Sequence, residues 1–216
     1  FNVLDNIFDF ESDMIWHKEK SLNGYDLIVL PGGFSYGDYL RSGAIARFAN
    51  IMDSVIDYAN QGGLVLGICN GFQILLESDL LPGAMKINDS LKFVCKNVQL
   101  QVVNNETPFT NQYENSEIIE MPVAHGEGNY YIDDKRLKNL ESNNQIVLKY
   151  KDKSENPNGS IENIAGICNK ERNIFGLMPH PERCAEDIIS PGRSDGYRMF
   201  SSIMEEIKVR GEKIAR

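Results

Sequence analysis

Along this chain the spacing of apolar positions changes period, and each change marks an element. Phe1, Leu4, Ile7 and Phe8 fall at helical spacing, so the chain is expected to start inside or just before a helix. Met14-Ile15-Trp16 reads as a short strand. Residues 25–30, YDLIVL, are continuously apolar and break at Pro31-Gly32-Gly33, the pattern of a buried parallel strand ending in a loop. Ile45, Phe48, Ile51, Met52, Val55, Ile56 and Ala59 return every three or four residues, which predicts a helix that Gly62 and Gly63 stop. Residues 64–68 form a second apolar run that turns at once into a helix with Phe72, Leu75 and Leu76 on one face. That alternation predicts a doubly wound α/β fold, a mostly parallel sheet with helices on both faces and its sites at the carboxyl ends of the strands. Residues 31–34 and Cys69 then share one edge.

Beyond residue 90 the period shortens. Residues 91–103, 118–123 and 145–150 are candidate strands, a β-rich insertion in the α/β plan. Between them lies HGEGNYY, residues 125–131. Its glycines fit either a plain turn or backbone that a ligand approaches closely, and it lacks the strand before and helix after that a dinucleotide fingerprint requires. Residues 164–169 and 174–178 flank the polar KERN and predict a hairpin. Tyr197, Phe200, Ile203, Met204 and Ile207 predict a closing amphipathic helix.

Composition removes several classes of function. With 22 Lys plus Arg against 31 Asp plus Glu, the net charge of −9 and the absence of a long basic run argue against a nucleic-acid partner. No apolar run has the length of a membrane span. Cys69, Cys95, Cys168 and Cys184 are far apart with no C-x-x-C, so neither a disulfide scaffold nor a metal site is suggested; reduced thiols in the cytoplasm are expected. There is no phosphate-cradling Gly-Lys-Ser/Thr.

Two stretches carry candidate chemistry. Gly67-Ile68-Cys69-Asn70-Gly71 has the layout of a nucleophile elbow with Cys in place of Ser, and the following helix N-terminus favours thiolate over thiol. A lone Cys in an apolar run is otherwise most often a small buried hydrophobe. In Pro179-His180-Pro181-Glu182-Arg183, His180 and Glu182 are two apart, so in an extended segment their side chains leave the same face. A carboxylate so placed can accept the Nδ1 proton, set the tautomer and support the imidazolium. A surface histidine beside a surface glutamate is the plainer reading of the same three residues.

With these residues in view, the chain resembles the class I, triad-type glutamine amidotransferases through GICNGFQ (67–73) and His180-Pro181-Glu182. LPGGFSYGDYLRSGAIARFAN from Leu30, PVAHGEGNYY from Pro122 and MPHPER from Met178 are similar, more narrowly, to the glutaminase-subunit family of phosphoribosylformylglycinamidine synthase, over nearly the whole chain. The resemblance implies a single amidotransferase domain over residues 1–216 that hydrolyses glutamine to glutamate and ammonia. Cys69 is then the nucleophile, His180 the acid and base, and Glu182 its support. It further implies an oxyanion hole from the backbone N–H groups of Gly33 and Asn70, with Gln73, His125 and Gly126 holding the substrate. No cofactor or metal is implied in this chain. ATP and Mg are expected on a partner synthetase subunit that makes formylglycinamidine ribonucleotide for purine (IMP) biosynthesis, with a small bridging subunit completing the complex. Related cysteine hydrolase-like proteins of the DJ-1 and protease-like group commonly have His where this chain has Asn70, and a non-catalytic subunit would not need Cys69, His180 and Glu182 together.

Members of that family begin with a strand ahead of the helix at which this chain starts. In a flavodoxin-like order of 2-1-3-4-5 that strand is interior, so the sequence is expected to be a fragment with the first strand missing.

Overall fold

A computed structural model describes residues 1–8, 10–22, 24–38, 41–190, 192 and 194–214. Tyr39 and Leu40, within the longest matched motif, lie outside the described residues. A short π-helical turn over Val3–Ile7 opens the chain where helical spacing placed a helix. There follow β1 (Leu27–Leu30), α1 (Ile51–Asn60), β2 (Leu64–Ile68), α2 (Asn70–Glu77), β3 (Ala84–Lys86), β4 (Val94–Val102), β5 (Ile118–His125), β6 (Asn129–Tyr131), α3 (Asp134–Ser142), β7 (Ile146–Tyr150), β8 (Ile164–Cys168), β9 (Ile174–Leu177) and α4 (Asp195–Ile214).

Seven strands form one sheet in the order β1-β2-β9-β8-β7-β4-β5, and β3 pairs with β6 alone. Parallel pairing runs through β1-β2-β9, and the remaining four strands extend that core by antiparallel pairing. Most of the β-rich stretch therefore joins the main sheet instead of standing apart from it. The KERN hairpin is β8 and β9.

Every residue of β2, β8 and β9 is buried, which explains why their sequences are continuously apolar and do not alternate. Successive residues still face opposite ways. Gly67 and Gly176 face α2, since a Cβ on either would meet Leu75 or Phe72. Val29 and Ile68 face instead a cavity of about 210 Å³, also lined by Phe200 of α4. Helices thus cover both faces of the parallel core. No helix among the described residues is long and apolar enough to cross a membrane.

Three local expectations are corrected. Met14–Trp16 forms no strand; Met14 and Trp16 are exposed, and neither joins a ladder. Instead Trp16 packs on the His17 ring, and the His17 carbonyl accepts the Ile51 N–H. The helix that apolar spacing starts at Ile45 starts at Ile51. Residues Ala46–Phe48 make only a 3-10 turn, because Ala49 is extended (φ −64°, ψ 142°) and leaves Phe48 in solvent. Residues 180–182 are not an extended segment, as described below. Among the described residues β1 pairs with β2 alone, so its outer edge carries no ladder.

Candidate active site

The carboxyl ends of β1, β2 and β9 meet at one place, and the sequence forces the chain into unusual geometry there. Cys69 lies between β2 and α2 with φ 52° and ψ −104°, a conformation that an L-residue adopts only when its surroundings impose it. The neighbouring backbone imposes it. The Cys69 N–H donates to the Leu177 carbonyl of β9 (2.8 Å), and its carbonyl accepts from Gln73 (3.2 Å). Gly71 packs so closely on β1 that a Cβ there would overlap the Leu30 carbonyl oxygen, and a Cβ on Gly67 would lie 2.8 Å from the Gly71 backbone. Both flanking glycines are therefore required by close approach. The Cys69 side chain is buried, with Sγ 3.8 Å from the Ala124 carbonyl of β5. It makes no side-chain cap to α2, so the first amides of that helix, beginning with Asn70, point at the site with their partial positive charge.

His180 follows β9. Its N–H donates to the Pro122 carbonyl of β5 (2.8 Å), which fixes the backbone from which the imidazole projects. Residues Pro181–Arg183 then form a 3-10 turn, with proline at a position whose N–H would find no partner anyway. This turn, and not an extended segment, brings the Glu182 carboxylate back to the ring, where Oε1 accepts from His180 Nδ1 at 2.6 Å. The proton on Nδ1 leaves Nε2 with its lone pair, and Nε2 is buried with no hydrogen-bond partner among the described residues.

Gly32 shows that the two pieces meet. A Cβ on Gly32 would lie 2.8 Å from His180 Cε1 and 3.6 Å from Cys69 Cβ, so the thiol-bearing carbon and the imidazole flank a single point. The missing side chain of Gly32 is what leaves room for both. Thiol, imidazole and carboxylate in this order can carry out nucleophilic attack with proton transfer. The other buried cysteines are unlike Cys69 in position: burial pushes the Cys168 thiol up to about 11 and the Cys184 thiol up to about 12.

The remaining expected residues lie in the loop after β1, at the start of α2 and at the end of β5. Gly33 is exposed in the loop after β1, with its backbone open to the cavity that His180 and Glu182 also line. Asn70 Nδ2 donates to Gln73 Oε1 (2.8 Å), and Gln73 Nε2 donates to the Glu127 carbonyl (2.6 Å), so Gln73 ties α2 to the 125–128 loop. The Gly126 carbonyl accepts the Asn88 N–H (2.9 Å). His125 is buried at the end of β5, with Nδ1 3.1 Å from Asn88 Oδ1. Burial, then the nearby His180, pushes its imidazole down to about 4.

Three contributors escape a reading of the sequence. Gly32 is one glycine of a turn pair until the fold packs a ring against it. Glu127 acts through its carbonyl on Gln73 and through its carboxylate on the Ser42 N–H (3.2 Å). Asn88 lies in an ordinary polar loop. None carries a local signal, because each depends on contacts between distant segments.

The class of the chain, a glutamine amidotransferase domain, follows from its family. Residues 6–205 match the model of the CobB/CobQ-like glutamine amidotransferase domain, and the chain belongs to that family. Within it the chain is of the phosphoribosylformylglycinamidine synthase type, being 49% identical to the structure of PurLQS from Thermotoga maritima (TM-score 0.77), with 87% of this chain and 82% of that one covered. The fold alone is shared with two more distant structures. A candidate GMP synthase subunit from Thermoplasma acidophilum is 16% identical (TM-score 0.64), with 99% of this chain and 89% of that one covered. The glutaminase domain of Trypanosoma brucei CTPS with bound acivicin is also 16% identical (TM-score 0.55), with 86% and 72% covered.

Proposed function

We propose that this chain hydrolyses glutamine to glutamate and ammonia with Cys69, His180 and Glu182, and passes the ammonia to a synthetase subunit. The observation that carries the reading is the convergence of Cys69 and the His180–Glu182 pair on Gly32. The Cys69 sulfur attacks the side-chain carboxamide carbon, and the thiol proton goes to His180 Nε2. The tetrahedral oxyanion is held by the backbone N–H groups of Asn70 and Gly33; a single such donor in a serine protease contributes about 2.7–4 kcal/mol. Collapse breaks the C–N bond, and His180 returns its proton to the departing nitrogen, which leaves as ammonia. Water, deprotonated by His180, then attacks the thioester; glutamate leaves and the thiol is restored. Glu182 accepts the Nδ1 proton bond throughout and supports the imidazolium. Gln73, His125 and Gly126 shape the end of the pocket that takes the amino-acid part of the substrate.

The similarity to PurLQS supports a multi-subunit assembly. In it a synthetase subunit, carrying ATP and Mg, uses the ammonia to make formylglycinamidine ribonucleotide in purine biosynthesis, and a small bridging subunit joins the two. Cytoplasmic thiols suit this reading, and Cys95, Cys168 and Cys184 carry no disulfide.

Treating the chain with an electrophilic glutamine analogue and mapping the adduct by peptide mass spectrometry tests the proposal. An adduct confined to Cys69 and suppressed by glutamine is expected. Labelling of Cys69 by a general alkylating reagent but not by the analogue, with the synthetase present, would sink it. Cys69→Ala should lower glutamine-dependent turnover by about a millionfold, while the assembled complex still uses free ammonia.

A further inference from the structure

We propose that Asn88 is a positioning residue of this site: it clamps the 125–128 loop and holds His125 as the Nδ1–H tautomer, so that Nε2 remains an acceptor. The inference rests on the glutaminase reading above and extends it to a residue whose hydrogen bonds run to the 125–128 loop and to residues 91 and 92.

Asn88 is completely buried, and most of its hydrogen bonds go to residues 125–128. Its N–H donates to the Gly126 carbonyl (2.9 Å). Its Nδ2 donates to the Lys92 and His125 carbonyls, both at 2.9 Å. Its Oδ1 accepts the Gly128 N–H (2.9 Å) and lies 3.1 Å from His125 Nδ1. The carboxamide can sit only one way round, because the two carbonyls require the NH2 end and the Gly128 amide requires the oxygen. His125 Nδ1 must then be the donor. Its ring carries one proton when neutral, so Nε2 keeps a lone pair, and Nε2 is buried with no hydrogen-bond partner among the described residues.

The loop so clamped is the one that holds Gln73 through the Glu127 carbonyl. A shift of that loop moves the wall of the pocket without touching the nucleophile, which is a change in substrate binding before a change in chemistry. The ring is packed as tightly as the backbone, since a Cβ on Gly128 would overlap it.

The charged and titratable groups around His125 explain why tautomer and charge matter. His180, with Glu182 on its Nδ1, acts on His125; on the neighbouring segments, Cys69 meets the Ala124 carbonyl, Glu127 accepts the Ser42 N–H, and Asp89 accepts from Asn129 Nδ2 (2.7 Å). A proton on His125 Nε2 would remove the acceptor and oppose the imidazolium that forms on His180 in each cycle. A neutral amide at position 88 does little to favour that proton; a carboxylate would favour it strongly.

Glutaminase kinetics across pH on the full chain in its assembled complex test this with three variants. Asn88→Ala should raise KM for glutamine on the order of 10- to 100-fold, with kcat within about threefold. Asn88→Asp should move the acidic limb of kcat/KM upward by about one pH unit or more, and adding His125→Asn should return the limb while KM stays raised. A limb that stays in place in Asn88→Asp, or that stays moved in the double variant, overturns the proposal. Nitrogen-15 spectra of histidine-labelled wild-type protein give an answer even if Asn88→Asp does not fold: a protonated Nδ1 and bare Nε2 at His125 are expected, and the reverse tautomer overturns it. If the wild-type complex hydrolyses no glutamine, it is the functional reading that fails; if it does so and Asn88→Ala leaves KM unchanged, this inference alone fails.

Discussion

The turn at residues 180–182 and the loop at 125–128 each bury an imidazole, 2% exposed at His180 and 3% at His125, and give the two rings opposite company. His180 has a carboxylate 2.6 Å from Nδ1; His125 has a neutral carboxamide 3.1 Å from Nδ1. In both rings Nδ1 is the bonded nitrogen and Nε2 has no partner among the described residues. A positive charge on the first ring would face a carboxylate, and one on the second would face only a neutral amide. The lesson is that burial and tautomer do not assign a role to a histidine here. The charge of the group behind the ring does.

The largest expected effect comes from erasing that difference. Glu182→Gln places a carboxamide behind His180, as Asn88 stands behind His125. A glutamine can offer its NH2 to Nδ1 and reverse the tautomer, so kcat should fall by about 10³- to 10⁴-fold with a smaller change in KM. Full activity in this variant would show that the carboxylate does not matter to the chemistry.

A smaller effect should appear in stability. His125 is pushed down to about 4 from an ordinary value near 6.5. Between those limits the unfolded chain binds a proton that the folded chain refuses, so its stabilising contribution is complete above about pH 6.5 and is lost as the pH falls toward 4. The loss attributable to this ring is about 3 kcal/mol at most. Denaturant melts at pH 7 and pH 4.5 should show it, and His125→Asn should flatten that part of the dependence. An unchanged slope in the variant would mean that other groups carry the acid sensitivity.

The smallest effect should come from the rim of the turn. Arg183 Nε lies 3.6 Å from Glu182 Oε1, but the guanidinium is half exposed and shared with solvent. Arg183→Ala should change activity by less than about fivefold, in keeping with the roughly 0–1 kcal/mol of exposed pairs. A loss near that of Glu182→Gln would move Arg183 from the rim into the working set.

How much of the fold and site is legible in the sequence follows from how local each signal is. Gly67, Cys69 and Gly71 lie within five residues, and their spacing is a turn requirement, so the elbow can be read from the residues alone. His180 and Glu182 are legible as a pair for the same reason, although the turn that joins them is 3-10 and not extended. Buried strands β2, β8 and β9 announce themselves by unbroken apolar runs. The short run Met14–Trp16 resembles them, yet a strand exists only with a neighbour to pair with, and apolar character does not supply one. Phe48 fits the helical period of its neighbours, but one extended residue at Ala49 detaches it. Asn88 and Gly32 are invisible in the sequence because their meaning is entirely in what the fold brings to them, from 37 positions away in the case of His125.

Gly71 sets a limit of another kind. Every amino acid that can replace glycine brings a Cβ, and at this position that atom has nowhere to go but into the Leu30 carbonyl. No missense change of its codon avoids the collision, so this residue can change only if β1 and the elbow are redrawn together.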